Sequence, residues 1–179
     1  MHCAASAGHL DVLTVLTNAY GVNVNAQTAS GSTILHYLMR INSFRSPSYK
    51  ETYIRVLGIV KAKGASLNAP TNEGILPIHE AAMRGNIVGI TWIIEAGAKV
   101  NLVSKAGFSA LHYSVSNRNF ANLAVVKLLI EKGANPAQNS PQGSALQMAK
   151  EVDPSILQFL QQNPAARPAQ ARSDRKSVV

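Results

Sequence analysis

Gly74-Ile-Leu-Pro-Ile-His79 opens, and Gly97-Ala-Lys-Val-Asn101 closes, a segment that decides how the whole chain is read. The opening frame recurs as Gly31-Ser-Thr-Ile-Leu-His36 and as Gly107-Phe-Ser-Ala-Leu-His112, and Met1-His2-Cys3-Ala4-Ala5 fits its second half. The histidines therefore stand at 2, 36, 79 and 112, at intervals of 34, 43 and 33. The closing frame recurs as Gly21-Val-Asn-Val-Asn25, Gly64-Ala-Ser-Leu-Asn68 and Gly133-Ala-Asn-Pro136. A two-part motif returning in register marks a stack of supersecondary units, each too small to bury its own apolar face.

Between the frames the apolar pattern is helical. Val56, Leu57, Ile59 and Val60 in one unit, and Val125, Val126, Leu128 and Leu129 in another, form the wide apolar face of a second helix. Leu35, Ile78 and Leu111 precede the histidines on a first helix, where Ala81 and Ala82 permit close approach. Gly64, Gly97 and Gly133 stand just past the second helices, where a left-handed stop favours glycine. The pattern predicts helices at 3–11, running on to a second near 11–19, then 35–41 with 51–62, 78–84 with 87–95, 111–117 with 121–131, and 145–151 with 154–162. Hairpin-like loops should join successive units.

These residues resemble the ankyrin repeat, whose pattern is a turn glycine, Thr-Pro-Leu-His, Ala-Ala, Gly-His and Gly-Ala over a period of about 33 residues. The resemblance covers residues 1 to about 164 and implies an all-α repeat solenoid. Its units would be about 1–25, 26–68, 69–101, 102–135 and 136–164, followed by a basic, disordered tail at 165–179. The last unit, Ser144-Ala-Leu-Gln-Met-Ala-Lys-Glu151 with Pro154-Ser-Ile-Leu-Gln-Phe-Leu160, has lost the histidine and carries Gln158, Gln161 and Gln162. A terminal repeat needs such a wetter outer face.

The resemblance also implies what the histidines do and where a partner sits. His2, His36, His79 and His112 would bond backbone and threonine partners and stabilise the turns. Partners would lie on the concave side, against hairpin tips and first helices. The positions expected to be free of stacking duty there are Ala29, Ser30, Ser32, Tyr37, Arg40 and Ile41 in the second unit. In the third they are Asn72, Glu73, Ile75, Glu80, Met83 and Arg84, and in the fourth Lys105, Ala106, Phe108, Tyr113, Ser116 and Asn117. Tyr37, Ile75, Met83, Phe108 and Tyr113 give this face an apolar and aromatic content of the kind that marks interaction sites.

Two units depart from the pattern. The second runs ten residues longer between His36 and Gly64 than the third does between His79 and Gly97, and the surplus lies around 42–51, between its two helices. The fourth holds three extra near 117–122. Each insertion is read as a structured surface loop or as a recognition element. Ser46-Pro47 in the first is a candidate phosphorylation site. Gly89 stands where the repeat has a branched aliphatic and Trp92 where it has leucine, so the two volumes are expected to offset each other, with Trp92 in the core.

Composition bounds the function. The 179 residues are 46% hydrophobic but only 15% charged, with one cysteine and a net charge of +8. No apolar run approaches the ~20 residues of a spanning helix, and a lone Cys3 forms no internal disulfide, so a cytoplasmic setting, or a nuclear one, is expected. Cys3 itself sits where a small buried residue is usual. No phosphate-binding glycine loop, paired Cys-x-x-Cys or His-Glu-x-x-His occurs, so neither catalysis, cofactor nor metal is expected.

The positive excess lies in two places. Residues 40–63 hold Arg40, Arg45, Lys50, Arg55, Lys61 and Lys63 against Glu51, and the tail holds Arg167, Arg172, Arg175 and Lys176 against Asp174. Two readings follow: a protein–protein interaction module, or a surface docking electrostatically on acidic lipid or nucleic acid through 40–63 and the tail. The neutral main body favours a protein or peptide partner over nucleic acid. Ser177-Val178-Val179 resembles the C-terminal ligands of PDZ domains, a second candidate partner. Because the chain opens in mid-repeat, it is expected to belong to a larger protein.

Overall fold

The computed structural model describes residues 1–19, 21–42, 46–116 and 123–162. Its helices are α1 (His2–Ser6), α2 (Leu10–Asn18), α3 (Ile34–Met39), α4 (Pro47–Ala62) and α5 (Pro77–Arg84). They continue as α6 (Ile87–Glu95), α7 (Ala110–Ser116), α8 (Leu123–Glu131), α9 (Ala145–Val152) and α10 (Pro154–Gln162). Two short strands, β1 (Asn139–Ser140) and β2 (Gly143–Ser144), pair antiparallel. The first helices stack in the order α1, α3, α5, α7, α9, while α2 packs on α4, and α6 and α10 pack on α8. This is an all-α repeat solenoid. Its core runs unbroken through Leu13, Leu35, Leu57, Ile78, Ile93, Leu111, Leu129 and Leu160, with Ala81 and Ala82 buried as the close approach requires.

The loops between units are hairpin tips built to one plan. In the first three, a backbone N–H bonds the carbonyl four residues on (Thr28 to Ser32, Thr71 to Ile75, Ser104 to Phe108) and the turn glycine bonds back to the tip's first carbonyl. The hydroxyls of Thr28, Thr71 and Ser104 close each tip by accepting from the N–H of Ser32, Ile75 and Phe108. Tips also bond to one another: Asn72 N–H to the Ser30 carbonyl at 2.9 Å and Lys105 N–H to the Glu73 carbonyl at 3.1 Å. In the fourth tip the same place holds Pro141, which has no N–H to give, so this zipper stops there. Gly74 needs its freedom twice over. Its φ is +74°, and a Cβ there would stand 2.6 Å from the Lys105 backbone nitrogen of the next tip.

The structure corrects three expectations. α1 ends at Ser6 rather than 11, because Gly8, at φ +71°, breaks the chain before α2 starts at Leu10. α4 starts at Pro47 rather than 51, so half of the insertion at 42–51 is helix and not a loop between helices. The local chemistry explains it: Ser46 caps the helix by accepting from Tyr49 N–H at 3.1 Å, and proline at the first position gives up an N–H that has no helical partner. Ser46→Ala should therefore lower stability by about 1 kcal/mol, read from the denaturant midpoint. Cys3 is exposed rather than buried, since Ala5 is the residue of α1 that reaches the core.

The volume left by Gly89 is filled by a residue the pattern did not name. Trp92 is partly buried against the core as expected. Yet a Cβ on Gly89 would meet Asn86 Nδ2 at 2.5 Å and the Tyr53 hydroxyl at 2.9 Å. Tyr53, fully buried on α4, takes that space. Gln158, Gln161 and Gln162 on α10 are all exposed. The insertion near 117–122, Phe44 and Arg45, and the tail with Ser177-Val178-Val179 lie outside the described residues.

Candidate functional site

The hairpin tips are tied to the first helices by buried histidines. His36 accepts at Nδ1 from Thr33 N–H (3.0 Å), lies 3.0 Å from the Thr33 hydroxyl, and donates from Nε2 to the Ile75 carbonyl of the next tip at 3.1 Å. His79 repeats this between Leu76 N–H (3.2 Å) and the Leu102 carbonyl (3.0 Å), and His112 accepts from Ser109 N–H at 3.2 Å. The bonds fix the tautomer with the proton on Nε2, an assignment made from the network. All three rings are buried, and burial, which disfavours the charged form, holds each below the ordinary imidazole value, His79 at about 4. Neutral and buried, His36 and His79 are clasps between units, while His112 is bonded within its own turn to Ser109. Among the described residues no three His, Cys, Asp or Glu side chains gather as a metal site needs.

Side chains one and four residues after each histidine line the groove beside these clasps. In the second unit the Tyr37 ring lies 5.5 Å from the His2 ring, with the Arg40 guanidinium 4.9 Å from its centre. Arg40 also crosses to the third unit, its Nη2 donating to Glu80 Oε1 at 2.6 Å. In the fourth unit Tyr113 packs 5.2 Å from the His79 ring and 5.6 Å from Phe108, and its hydroxyl donates to Ser104 Oγ at 2.9 Å. Between the first and second tips a hollow of ≈ 310 Å³ opens onto Ser30, Arg40, Asn72, Glu73, Ile75 and Glu80.

The expected binding residues divide into three groups. Glu73, Arg84 and Lys105 are exposed, and so are Ala29, Ser30, Ala106 and Ser116. Tyr37, Arg40, Ile41, Ile75, Met83, Phe108 and Tyr113 are half-buried, each presenting part of its surface to the groove and part to its neighbours. Glu80 and Ser32 are corrections: both are buried, Glu80 at 7% exposure because Arg40 binds it across the unit boundary, Ser32 because it closes a hairpin tip. Asn72 is exposed but occupied, its Nδ2 donating to the Ala29 carbonyl at 2.8 Å. Asn117 lies outside the described residues. Sequence reasoning missed Asn42, whose Nδ2 donates to the Arg84 carbonyl at 2.7 Å, and the closing hydroxyls. The hydroxyls had a readable signal, a Thr or Ser three residues before each turn glycine at 28, 71, 104 and 140.

The half-buried aromatics make the groove graded. Towards the second unit it carries Arg40, beside the Tyr37 ring and paired with buried Glu80, and exposed Glu73. Its fourth-unit end is apolar, with Phe108 and Tyr113 stacked together.

Comparison with known proteins bears on these features. A family model described as ankyrin repeats (3 copies) matches residues 50–140, and one described as ankyrin repeats (many copies) matches 1–46. Over 90 residues the chain is 32% identical to ankyrin repeat and SOCS box protein 3 of Homo sapiens and 30% identical to that of Bos taurus. Each match covers 49% of this chain and 17% of the relative. Over 87 residues it is 31% identical to a probable serine/threonine-protein kinase of Dictyostelium discoideum, covering 49% of this chain and 10% of that protein. The chain thus spans less than a fifth of the length of any of these relatives.

Proposed function

The chain belongs to the ankyrin repeat family, and from that premise we propose that it is a non-catalytic module holding a segment of a protein partner along its concave face. Ankyrin repeats are generally protein–protein interaction modules. The observation that supports the concave face is the graded groove itself. Half-exposed Tyr37, Ile75, Met83, Phe108 and Tyr113 line it, with exposed Glu73, Arg84 and Lys105 at the rim. Aromatic anchors inside a polar rim are the arrangement that carries binding energy at protein interfaces. A partner segment polar at one end and apolar at the other would match the gradient from Arg40 to Tyr113.

The test is positional. A photo-crosslinking residue placed at Glu73 or Lys105 should capture the partner, and one at Gln158, on the outer face of α10, should not. Equal yields at the three positions would refute the concave reading. Tyr113→Ala, in protein whose circular dichroism and melting stay intact, should weaken that binding about tenfold or more. Binding anchored this way should change little between low and physiological salt, whereas polyanion binding would fall steeply. Binding of Ser177-Val178-Val179 to a PDZ domain is a separate proposal. One glycine added after Val179 would abolish it and leave the groove's partner bound.

A further inference from the structure

In the hollow between the first and second tips, charge is left over. Of the residues that line it, Glu80 and Ser32 are buried, whereas Ser30, Asn72 and Glu73 are exposed at its mouth. Arg40 is committed, its guanidinium paired with Glu80 and set against the Tyr37 ring. Glu73 is not. Among the described residues the ion pairs are Arg40–Glu80 and Lys132–Glu95, so the Glu73 carboxylate has no cation within pairing distance. One cation and two carboxylates leave the hollow a negative charge, in a chain whose net charge is +8. Hydrogen bonding is unbalanced in the same direction. The backbone donors around the mouth are spent on the tips: Asn72 N–H on the Ser30 carbonyl, Gly74 N–H on the Thr71 carbonyl and Lys105 N–H on the Glu73 carbonyl. Asn72 Nδ2 is spent on the Ala29 carbonyl. The hydroxyls of Thr28, Ser30 and Ser32 run in a row, 3.0 and 3.1 Å apart, which engages their hydrogens along the row and leaves lone pairs in surplus. Surplus acceptors with a net negative charge select a donor-rich cation.

We propose that this hollow receives a lysine or arginine side chain of the partner segment, with the Glu73 carboxylate as its counter-ion. The proposal rests on the concave-face reading above and adds a register to it. The cation is seated between the first two tips, and apolar residues of the same segment reach Phe108 and Tyr113 further along the groove. An acidic side chain is disfavoured at the same place, because it would meet Glu73 and find Arg40 already paired. A single pair set in a hollow is screened little by salt, so this contact is compatible with the weak salt dependence expected of the groove.

A library of random peptides displayed on phage, selected on the immobilised full chain at physiological salt, supplies the probe. The selected peptides should share one lysine or arginine at a fixed spacing from an aromatic or aliphatic residue. Glu73→Gln should weaken such a peptide about tenfold, and so should replacing the peptide's cation by glutamine. The two changes together should cost little more than either alone, which is the signature of a direct pair. Glu95→Gln, on the second helix α6, should leave binding as it is. The Glu73 carbonyl that takes the Lys105 N–H is untouched by Glu73→Gln, so that variant should melt with the parent. Peptides that crosslink from a photo-reactive residue at Lys105 but share no cation, or carry an acid instead, overturn the counter-ion and leave the concave groove standing. So do peptides for which the two losses simply add. Peptides that crosslink from Gln158 and not from Lys105, or a library that yields no binder, overturn the concave reading and this proposal with it.

Discussion

Lowering the pH from 7 towards 4 should destabilise the folded chain steeply, by roughly 3 kcal/mol through His79 alone. In the unfolded chain this imidazole titrates near 6.5, while in the fold burial holds it at about 4. Between those values the unfolded state binds the extra proton, so stability is complete above about 6.5 and drains away as the pH falls to about 4. His36 and His112, buried in the same way and displaced in the same direction, add to the loss. The informative window is pH 6.5 to 5, where carboxylates stay charged and His79 accounts for about 2 kcal/mol. Urea midpoints across that window should fall steadily. A flat profile would mean that protonated histidines keep their carbonyl partners and that the clasps tolerate charge.

That prediction rests on features legible in the sequence. Spacing placed the histidines in register, and the family resemblance implied that they bond the turns; the reach of His36 and His79 to the next tip's carbonyl is what the structure adds. The helix stops at Gly64, Gly97 and Gly133 were legible for the same reason, and all three have positive φ. Where the repeat varies, its period stops helping. The start of α4 was written locally in Ser46-Pro47, yet the surplus of ten residues suggested a loop because the pattern offers only two helices and a gap. The site was legible as rows of positions but not as degrees of exposure. Arg40 and Glu80 are 40 residues apart, and only the stacked structure shows that one removes the other from the free surface.

Asn86→Ala should cost about 3 kcal/mol or more, far beyond an ordinary helix-cap loss, because Asn86 ties the irregular unit to the regular one. Its Oδ1 caps α6 by accepting from Gly89 N–H at 2.7 Å. Its Nδ2 reaches back to the Met39 carbonyl at 3.1 Å and the Tyr53 hydroxyl at 2.9 Å, and that hydroxyl donates in turn to the Leu38 carbonyl. Asn86 is 1% exposed and Tyr53 fully buried, so no water replaces the lost partners. Truncation forfeits about 1 kcal/mol of capping and takes a donor from the Met39 carbonyl and from the Tyr53 hydroxyl, which keeps its bond to Leu38, at about 1–3 kcal/mol more. The periodic pattern hides this lock because Tyr53 lies 33 residues upstream, in the helix that the insertion lengthened. Tyr53→Phe separates the two contributions. It removes the hydroxyl but leaves the cap and the Met39 bond, so it should cost about half as much. Equal losses for the two variants in denaturant titrations would place the whole effect on the Tyr53–Asn86 bond, and a loss near 1 kcal/mol for Asn86→Ala would reduce Asn86 to a simple cap.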